Sequence, residues 1–511
     1  MEFDLRIFED EKLNAGYLDW LTKERAGQVQ RHFGRMWDYY ANPTVEITEA
    51  AAGQRAGETG RSYVQAQEAG LPARITGIVR NPLAGIFGGR AAREIQRKEV
   101  VIENDIAWRI NAAVDFLFGK PISFVSRSPD AQKRAEIEEI IKSVFGANGG
   151  VGFFQDMAVL GGVYGFVDCF VRPGEEIYQS FTSQSRQSAK SGPLEAVLQM
   201  AQAIELELIE APRALPILDE NNYKKILYYV QHFYLKRNAI KRRNTFMSRL
   251  LGLDGAEGCQ TAEAAEIVSE KAWQRYEDGE LTGEGENWWG FLPVVHIQNL
   301  AQPFYYEGIS DVEPLMPLQD ELNTRLSDRA NRITMQSFKM YLGKGIEGFE
   351  DRPVSPGRMW CTDNPDATIE EFGGDSGSES EDRHIDQIRE AMDKTSFVTP
   401  IVAGVIGGKV GNLTSAVALK LMLMGMLSKT ERKKFTYGDG LKKICQMVLE
   451  MLDKAGIYNT GAEDRAIDVI FPSPLPENML EKLQEAQIKK ELGVPEEQIL
   501  RELGYERQNT E

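Results

Sequence analysis

The chain has 511 residues, and its 59 Lys plus Arg stand against 77 Asp plus Glu for a net charge of -18, with 42% hydrophobic and 27% charged residues. This is a globular composition, which excludes a fibre, a wholly disordered chain and a disulfide-built miniprotein; at about 150 residues per domain it predicts about three domains. The acidity argues against a protein that grips DNA over its whole surface, because phosphate affinity comes from Lys and Arg releasing counterions, but not against one that lets DNA slide past.

No stretch reaches the roughly eighteen uninterrupted apolar residues that a membrane-spanning helix needs. Residues 157–167 lie between Asp156 and Asp168, and 416–427 contain Lys420. The opening MEFDLRIFEDEKLN carries acids where a secretory signal has basic charge and an apolar core, so the chain reads as made and kept in a reducing cytosol. Cys169, Cys259, Cys361 and Cys445 show no C-x-x-C spacing, and His32, His232, His296 and His384 are equally scattered, so neither a zinc site nor a disulfide framework is indicated.

Along residues 1–42, Tyr17, Trp20, Leu21, Val29, Phe33, Trp37 and Tyr40 fall at helical spacing and predict one or two amphipathic helices. A shift to Gly, Ala, Thr and Gln over 41–89 predicts extended loops or a flap. Residues 104–118 predict a helix with Ile106, Ile110, Val114, Leu117 and Phe118 on one face, stopped by Gly119, Lys120 and Pro121. Helical patterning continues at 131–145 and 153–160. Strands are predicted at 163–171, at 203–209, where Ile204, Leu206 and Leu208 alternate with acids, and at 223–235. Between the first two of these, the polar run at 179–192 reads as mobile. Residues 236–290, from the basic KRNAIKRR to the acidic EDGELTGEGE and Trp288-Trp289, read as an insertion.

The run FLPVVHIQN at 291–299 predicts a buried strand, after which the chain turns into a long helix. Ser310 and Glu313 have capping-box spacing, with Pro314 and Pro317 in the first turn. Leu315, Leu318, Leu322, Leu326 and Ile333 form a narrow apolar stripe, and charge covers the other sides. Such a helix suits packing against neighbours on two sides. Short strands are predicted around 339–342, 359–361 and 368–372, then a charged helix at 379–394 with Ile385, Ile388 and Met392 on one face. The glycine-laced run SFVTPIVAGVIGGKVGNLTS at 396–415 is apolar where loops are normally polar. Asn412 or Thr414 is the predicted cap of a helix that passes Leu427 and resumes after Gly438; a strand at 467–471, a Pro-rich turn and charged helices follow.

Recognisable catalytic chemistry is missing. GVIGGKV at 404–410 puts three residues between Gly404 and Gly408-Lys409 and follows with Val410, where a phosphate loop needs four and a Ser or Thr. There is no G-x-S-x-G and no H-E-x-x-H. Acid pairs such as Glu103 with Asp105 and Asp311 with Glu313 are read as caps or solvated faces. His296 reads as a satisfied core or interface histidine, and the two tryptophans as packing.

Four runs in order, FLPVVHIQN, GISDVEPLMPLQDELNTRLSDRANRI, SFVTPIVAG and LTSAVALKLMLMGMLSKTERK, together resemble the portal proteins of tailed bacteriophages. The likeness covers 290 to the end, with ENDIAWRINAAVDFLFGKPI as a looser match upstream. It implies an α+β, mainly α, portal-type fold: a wing over 1–309, a first stem helix at 310–337, a clip at 338–378, a second stem helix at 379–396, a tunnel loop at 397–412, a kinked helix and wing strand at 413–471, and a helical crown at 472–511. It further implies a ring of this chain, twelve-fold in the virion, around double-stranded DNA read without sequence preference. The tunnel-loop residues Phe397, Val398, Ile401, Val402, Val405, Ile406 and Lys409 would touch the DNA. Lys344, Arg352 and Arg358 of the clip would meet partners. Those partners would be the terminase large subunit, a head-completion adaptor, and the major capsid and scaffolding proteins, with no membrane, cofactor, metal or catalytic residue. The protein would be made in the host cytoplasm and reside at the portal vertex of the capsid. An enzyme of unrecognised type and a cytosolic oligomeric scaffold without DNA contact are the competing readings.

Overall fold

The computed structural model describes residues 3–8, 13–46, 63–76, 99–182, 193–237, 260–336, 340–344, 365–372, 379–400, 420–475, 479–494 and 499, and shows a mixed α+β protein. Asn14 caps helix α1 (Ala15–Trp20) by accepting from the Gly16 and Tyr17 amides. The chain then passes through a π-helical turn (Leu21–Arg25) into α2 (Ala26–Ala41). Leu18, Leu21, Val29, Phe33, Met36 and Tyr39 are buried, while Tyr17, Trp20 and Trp37 are exposed. The predicted helices are there, and Leu21, Val29 and Phe33 of the expected face are buried, but Met36 and Tyr39 are buried where Trp37 is expected.

Strand β1 (Thr44–Glu46) pairs with β2 (Tyr63–Gln65), and a short α3 (Ala73–Thr76) follows, so the loops predicted over 41–89 are partly regular. Helix α4 (Asp105–Phe118) buries the whole predicted face. After β3 (Ser123–Ser126) come α5 (Ala131–Ala147) and α6 (Val151–Tyr164). Strand β4 (Phe166–Arg172) starts later than expected, since α6 runs on to Tyr164 and the chain turns only at Gly165, with φ 92. Helix α7 (Glu175–Thr182) occupies the start of the run read as mobile, and 183–192 lie outside the described residues. Helix α8 (Leu194–Ala201) and β5 (Glu205–Ile209) follow.

Five strands then form one antiparallel meander: β6 (Ala214–Asp219), β7 (Asn222–Arg237), β8 (Gln260–Val268), β9 (Ala272–Glu277) and β10 (Glu280–Glu286), in spatial order β10-β9-β8-β7-β6. The stretch 236–290, read as an insertion, thus supplies three strands of the sheet. Trp289 packs as expected, whereas Trp288 is 38% exposed. Strand β11 (Val294–Gln298) pairs antiparallel with β4, which has β5 on its other side. Helix α9 (Met316–Gln336) is followed by β12 (Met340–Lys344), which pairs with β13 (Thr368–Phe372); the strand predicted at 359–361 is outside the described residues.

Helix α10 (Glu379–Ser396) buries Ile385, Ile388 and Met392 as predicted. Helix α11 (Met424–Lys454) runs through Gly438 without the expected break; its interruption is at Leu423, after a helical turn at 420–422, and the caps predicted at Asn412 and Thr414 fall outside the described residues. An interior glycine costs only about 1 kcal/mol, too little to stop a helix that buries Leu441, Ile444, Val448, Leu449 and Leu452. Strand β14 (Ile467–Ile470), pairing with β3, and helix α12 (Met479–Glu491) complete the described elements.

The chain divides into two compact units, one of Met1–Ala113, Val159–Arg172 and Leu206–Tyr437, the other of Val114–Ala158, Pro173–Glu205 and Gly438–Glu511. In the second unit Phe124 stacks on Phe145 at 4.8 Å, and Phe145 meets Phe154 at 5.0 Å. Asp464 there accepts from Ser128 Oγ at 2.6 Å and pairs with Lys133 at 2.5 Å. In the first unit buried Asp168 accepts from Tyr229 and Tyr306 and lies 2.7 Å from His296 Nδ1, whose Nε2 is 2.8 Å from the Tyr306 carbonyl. Both ring nitrogens are occupied, so His296 is the satisfied histidine its apolar strand predicts. No helix among the described residues is long and apolar enough to cross a membrane, and no group of His, Cys, Asp and Glu among them could hold a metal.

Candidate functional site at the base of the 397–419 segment

The run Gly308-Ile309-Ser310-Asp311 turns the chain from β11 towards α9. A Cβ at Gly308 would overlap the carbonyl oxygen of Gly165, and one at Gly165 would overlap that of Gly308. Two glycines are therefore required where these backbones cross. Ser310 Oγ donates to the Val163 carbonyl at 2.6 Å and accepts from the amides of Val312 (3.0 Å) and Glu313 (3.2 Å). The hydroxyl therefore bonds two amides ahead of the turn Glu313–Leu315 and a carbonyl of a second element, but the cap position is Val312, without a side-chain bond, and not Ser310 as its spacing predicts.

Asp311 is not the solvated or capping acid the sequence suggests. It is 5% exposed, accepts from Asn299 Nδ2 at 3.1 Å, and pairs with Lys429 at 2.7 Å and Lys433 at 2.5 Å. Burial pushes its carboxyl up, but the two ammonium groups outweigh burial and hold it well below the usual carboxylate range. Burial lowers Lys433, with Asp311 opposing the shift.

A second buried ion cluster lies at the end of α10. Arg109, 2% exposed, pairs with Asp105 at 2.9 Å and Asp393 at 2.6 Å. It also donates to Ser396 Oγ at 3.2 Å and to the Val398 carbonyl at 2.8 Å. Its cation therefore meets the carbonyl-rich end of α10, where the helix dipole favours positive charge. Lys429 joins the two clusters, because Nζ donates to the Ser396 carbonyl at 2.9 Å while pairing with Asp311. Together, Asp105, Asp311 and Asp393 balance Arg109, Lys429 and Lys433. The chain thus enters the 401–419 stretch from one residue set and leaves it towards another, and the two sets are bonded to each other.

Helix α9 has a buried polar flank as well as its apolar stripe. Leu315, Leu322 and Leu326 are buried, but Leu318 is half-buried and Ile333 is 54% exposed. Gln319, Asn323 and Ser327 are each 0% exposed and hydrogen-bond, with Asn331, to alternate residues of the extended segment 99–105. Asn331 accepts from the Glu99 amide at 3.0 Å, Ser327 from Val101 at 3.0 Å, Asn323 from Glu103 at 3.0 Å and Gln319 from Asp105 at 3.1 Å. Part of the polar surface read as available to neighbours is therefore taken within the chain. Between α9 and α10, Arg329 pairs with Asp382 at 3.0 Å, and Arg332 with Glu381.

Of the residues predicted to touch DNA, Phe397 is 50% exposed and Val398 is 1% exposed. Val398 is a packing residue, because the Arg109 bond to its carbonyl and the Ser396 bond to its amide turn its side chain inward. Ile401, Val402, Val405, Ile406 and Lys409 lie outside the described residues, as do Arg352 and Arg358. Lys344 is exposed at the end of β12. Sequence reasoning missed Arg109, Asp311, Lys429 and Lys433. Their one available signal was position: Asp311 closes the GISD run, and Lys429 and Lys433 are one turn apart.

The chain matches a family model described as phage portal protein, SPP1 Gp6-like, over residues 108–509. Among solved structures it is similar to a chain from the virion of a native gene transfer agent particle, at 11% identity and TM-score 0.40, covering 79% of this chain and 90% of that one. It is also similar to a chain from the neck of an empty gene transfer agent particle, at 10% identity and TM-score 0.39, covering 79% and 91%. A search of curated proteins gave no match.

Proposed function

The chain belongs to the phage portal proteins of the SPP1 Gp6-like family, and from that membership we propose that it forms a ring-shaped conduit for double-stranded DNA during genome packaging, retention and ejection. The ring, a dodecamer at the portal vertex of a capsid and assembled from chains made in the host cytoplasm, passes DNA without reading its sequence. Exposed Phe397, with Ile401, Val402, Val405, Ile406 and Lys409, supplies the contacts to the duplex; Val398 is not among them. The clip, with Lys344, Arg352 and Arg358, docks the terminase large subunit and later the head-completion adaptor, while other surfaces meet the major capsid and scaffolding proteins. The protein is not an enzyme in this reading, and the energy for translocation comes from the terminase.

The observation that supports this reading best is that the described residues on either side of 401–419 are bonded to one another, Lys429 to the Ser396 carbonyl. A loop meant to bear on a moving polymer must be fixed at its base, and here both approaches to it are bonded into buried ion clusters through Lys429. Net acidity suits a conduit, since like charge keeps phosphate from sticking to the wall. Imaging of the purified protein by electron microscopy tests the proposal. Rings with a central hole of about 20 Å or more, enough for B-DNA, are expected without nucleotide or metal. A stable monomer across salt and protein concentrations, or a closed ring, overturns it.

A further inference from the structure

Phe397 is the first residue beyond α10 and takes φ 62, left-handed backbone in which a Cβ is unfavourable and glycine is usual at a helix end. Its ring is half exposed, so burial alone does not hold it there. The adjoining backbone is held from two helices. The Val398 amide donates to Ser396 Oγ at 3.1 Å, Arg109 of α4 donates to the Val398 carbonyl at 2.8 Å, and Lys429 of α11 donates to the Ser396 carbonyl at 2.9 Å. Lys429 Nζ also lies 5.9 Å from the centroid of the Phe397 ring, within reach of its electron-rich face. One helical turn before Lys429, an added Cβ on Gly425 would come within 3.3 Å of the ring. The same face of α11 therefore leaves room for the ring at Gly425 and caps it with the cation at Lys429.

We propose that Phe397 and Lys429 form a conformational latch, in which Lys429 holds Phe397 left-handed and thereby sets the direction in which the chain leaves α10. Release of Lys429 lets Phe397 relax to ordinary right-handed or extended backbone and swings residues 398–400. Lys433 makes the release feasible, since it stays paired with Asp311 at 2.5 Å when Lys429 withdraws and no buried carboxylate is left without a cation. The latch is a property of one chain and does not require the DNA conduit. If that reading also holds, the latch aims the DNA-facing segment.

Hydrogen exchange measured by mass spectrometry on the full chain tests this through peptides spanning 394–400. Lys429→Met is expected to speed exchange at the Val398 amide by about tenfold as local opening becomes easier, while peptides over 385–392 keep their protection. Lys429→Arg is expected to restore it. The discriminating variant is Phe397→Gly combined with Lys429→Met, because glycine takes φ 62 without strain, so the pair is expected to exchange more slowly than Lys429→Met alone. If Lys429→Met fails to fold, Gly425→Ala, whose Cβ would come within 3.3 Å of the ring and which leaves every ion pair intact, is expected to give a smaller acceleration in the same direction. Unchanged exchange in these single variants, or a double variant as fast as Lys429→Met, overturns the latch. Neither result bears on ring formation, which imaging decides separately.

Discussion

Asp311 shows how much one side chain carries here. Its carboxylate is the counter-ion of Lys433, which is 5% exposed, and of Lys429, and it accepts from Asn299 as well. Asp311→Asn keeps the shape but removes the charge and leaves Lys433 buried against a neutral amide. Removing one partner of a buried ion pair costs about 3–5 kcal/mol, and a loss of that size in urea or thermal unfolding of the full chain is the expected outcome. The same chemistry predicts a pH dependence. Asp311 is depressed by its two lysines despite burial, and Asp464 in the other unit is pulled down to about 2 by Lys133 and Ser128 against burial. A carboxyl depressed in the fold stabilises above its unfolded pKa of about 3.9, and the contribution fades as pH falls through the folded value. Stability should therefore drop between about pH 4 and pH 2. Asp320 and Asp393, raised by burial, work in the opposite sense. Urea midpoints against pH check this, and Asp464→Asn should flatten the acid-side decline.

Among the elements, α9 departs most from its sequence pattern. Four residues of helix rise about 6.0 Å, and two residues of extended chain span about 6.6 Å. Polar side chains at every fourth helical position can therefore meet every second residue of a strand, and Gln319, Asn323, Ser327 and Asn331 do so along residues 99–105. Along 99–105 this flank recognises backbone amides, not side chains. Asn323→Leu would remove the acceptor of the Glu103 amide and the donor to Gln67 Oε1 at 2.9 Å. Leaving such groups unsatisfied costs about 1–3 kcal/mol, and protection of 99–105 in hydrogen exchange should fall. Glu99→Ala, on an exposed side chain of the same strap, should stay within about 0.5 kcal/mol of the parent. The ion pair of Arg329 with Asp382 matters less: Arg329 is half-buried and Asp382 exposed, and such surface pairs contribute about 0–1 kcal/mol. Ile385, Ile388 and Met392 of α10 are buried, and each such side chain contributes more than an exposed ion pair.

For the assembled protein, the decisive variant is the double change Val405→Asp with Ile406→Asp. If these side chains face a channel, the substitutions should cost little stability, within about 0.5 kcal/mol each. Each copy would nevertheless add two negative charges opposite the phosphates, so rings should form and fail to package or retain DNA. If the two residues pack inside the protomer, burying carboxylates without partners should prevent folding or assembly. Electron microscopy of the variant together with a packaging assay separates these outcomes. Val398, already buried, is unsuitable for the purpose.

Short-range pattern was enough to read α4, α5, α10 and strands β7, β11 and β14, because helix and strand periods and turn residues act within a few positions of each other. It also carried the order of parts by which the portal family is recognised. Pattern was misleading where partners are distant in sequence. Hydropathy assigns each residue its own cost of leaving water, so nothing in it marks Asp311, Lys433, Arg109, Gln319 or Asn323 as buried. In the folded chain each is buried, because a partner from another element meets it: Lys433 for Asp311, Asp393 for Arg109, and the 99–105 backbone for α9. The same distance effect hid the five-stranded sheet, whose β8 to β10 look like an insertion until β7 pairs with β8. The cost of burying a charge or an amide depends on what it meets, and that is set by tertiary contacts rather than by neighbours in the chain.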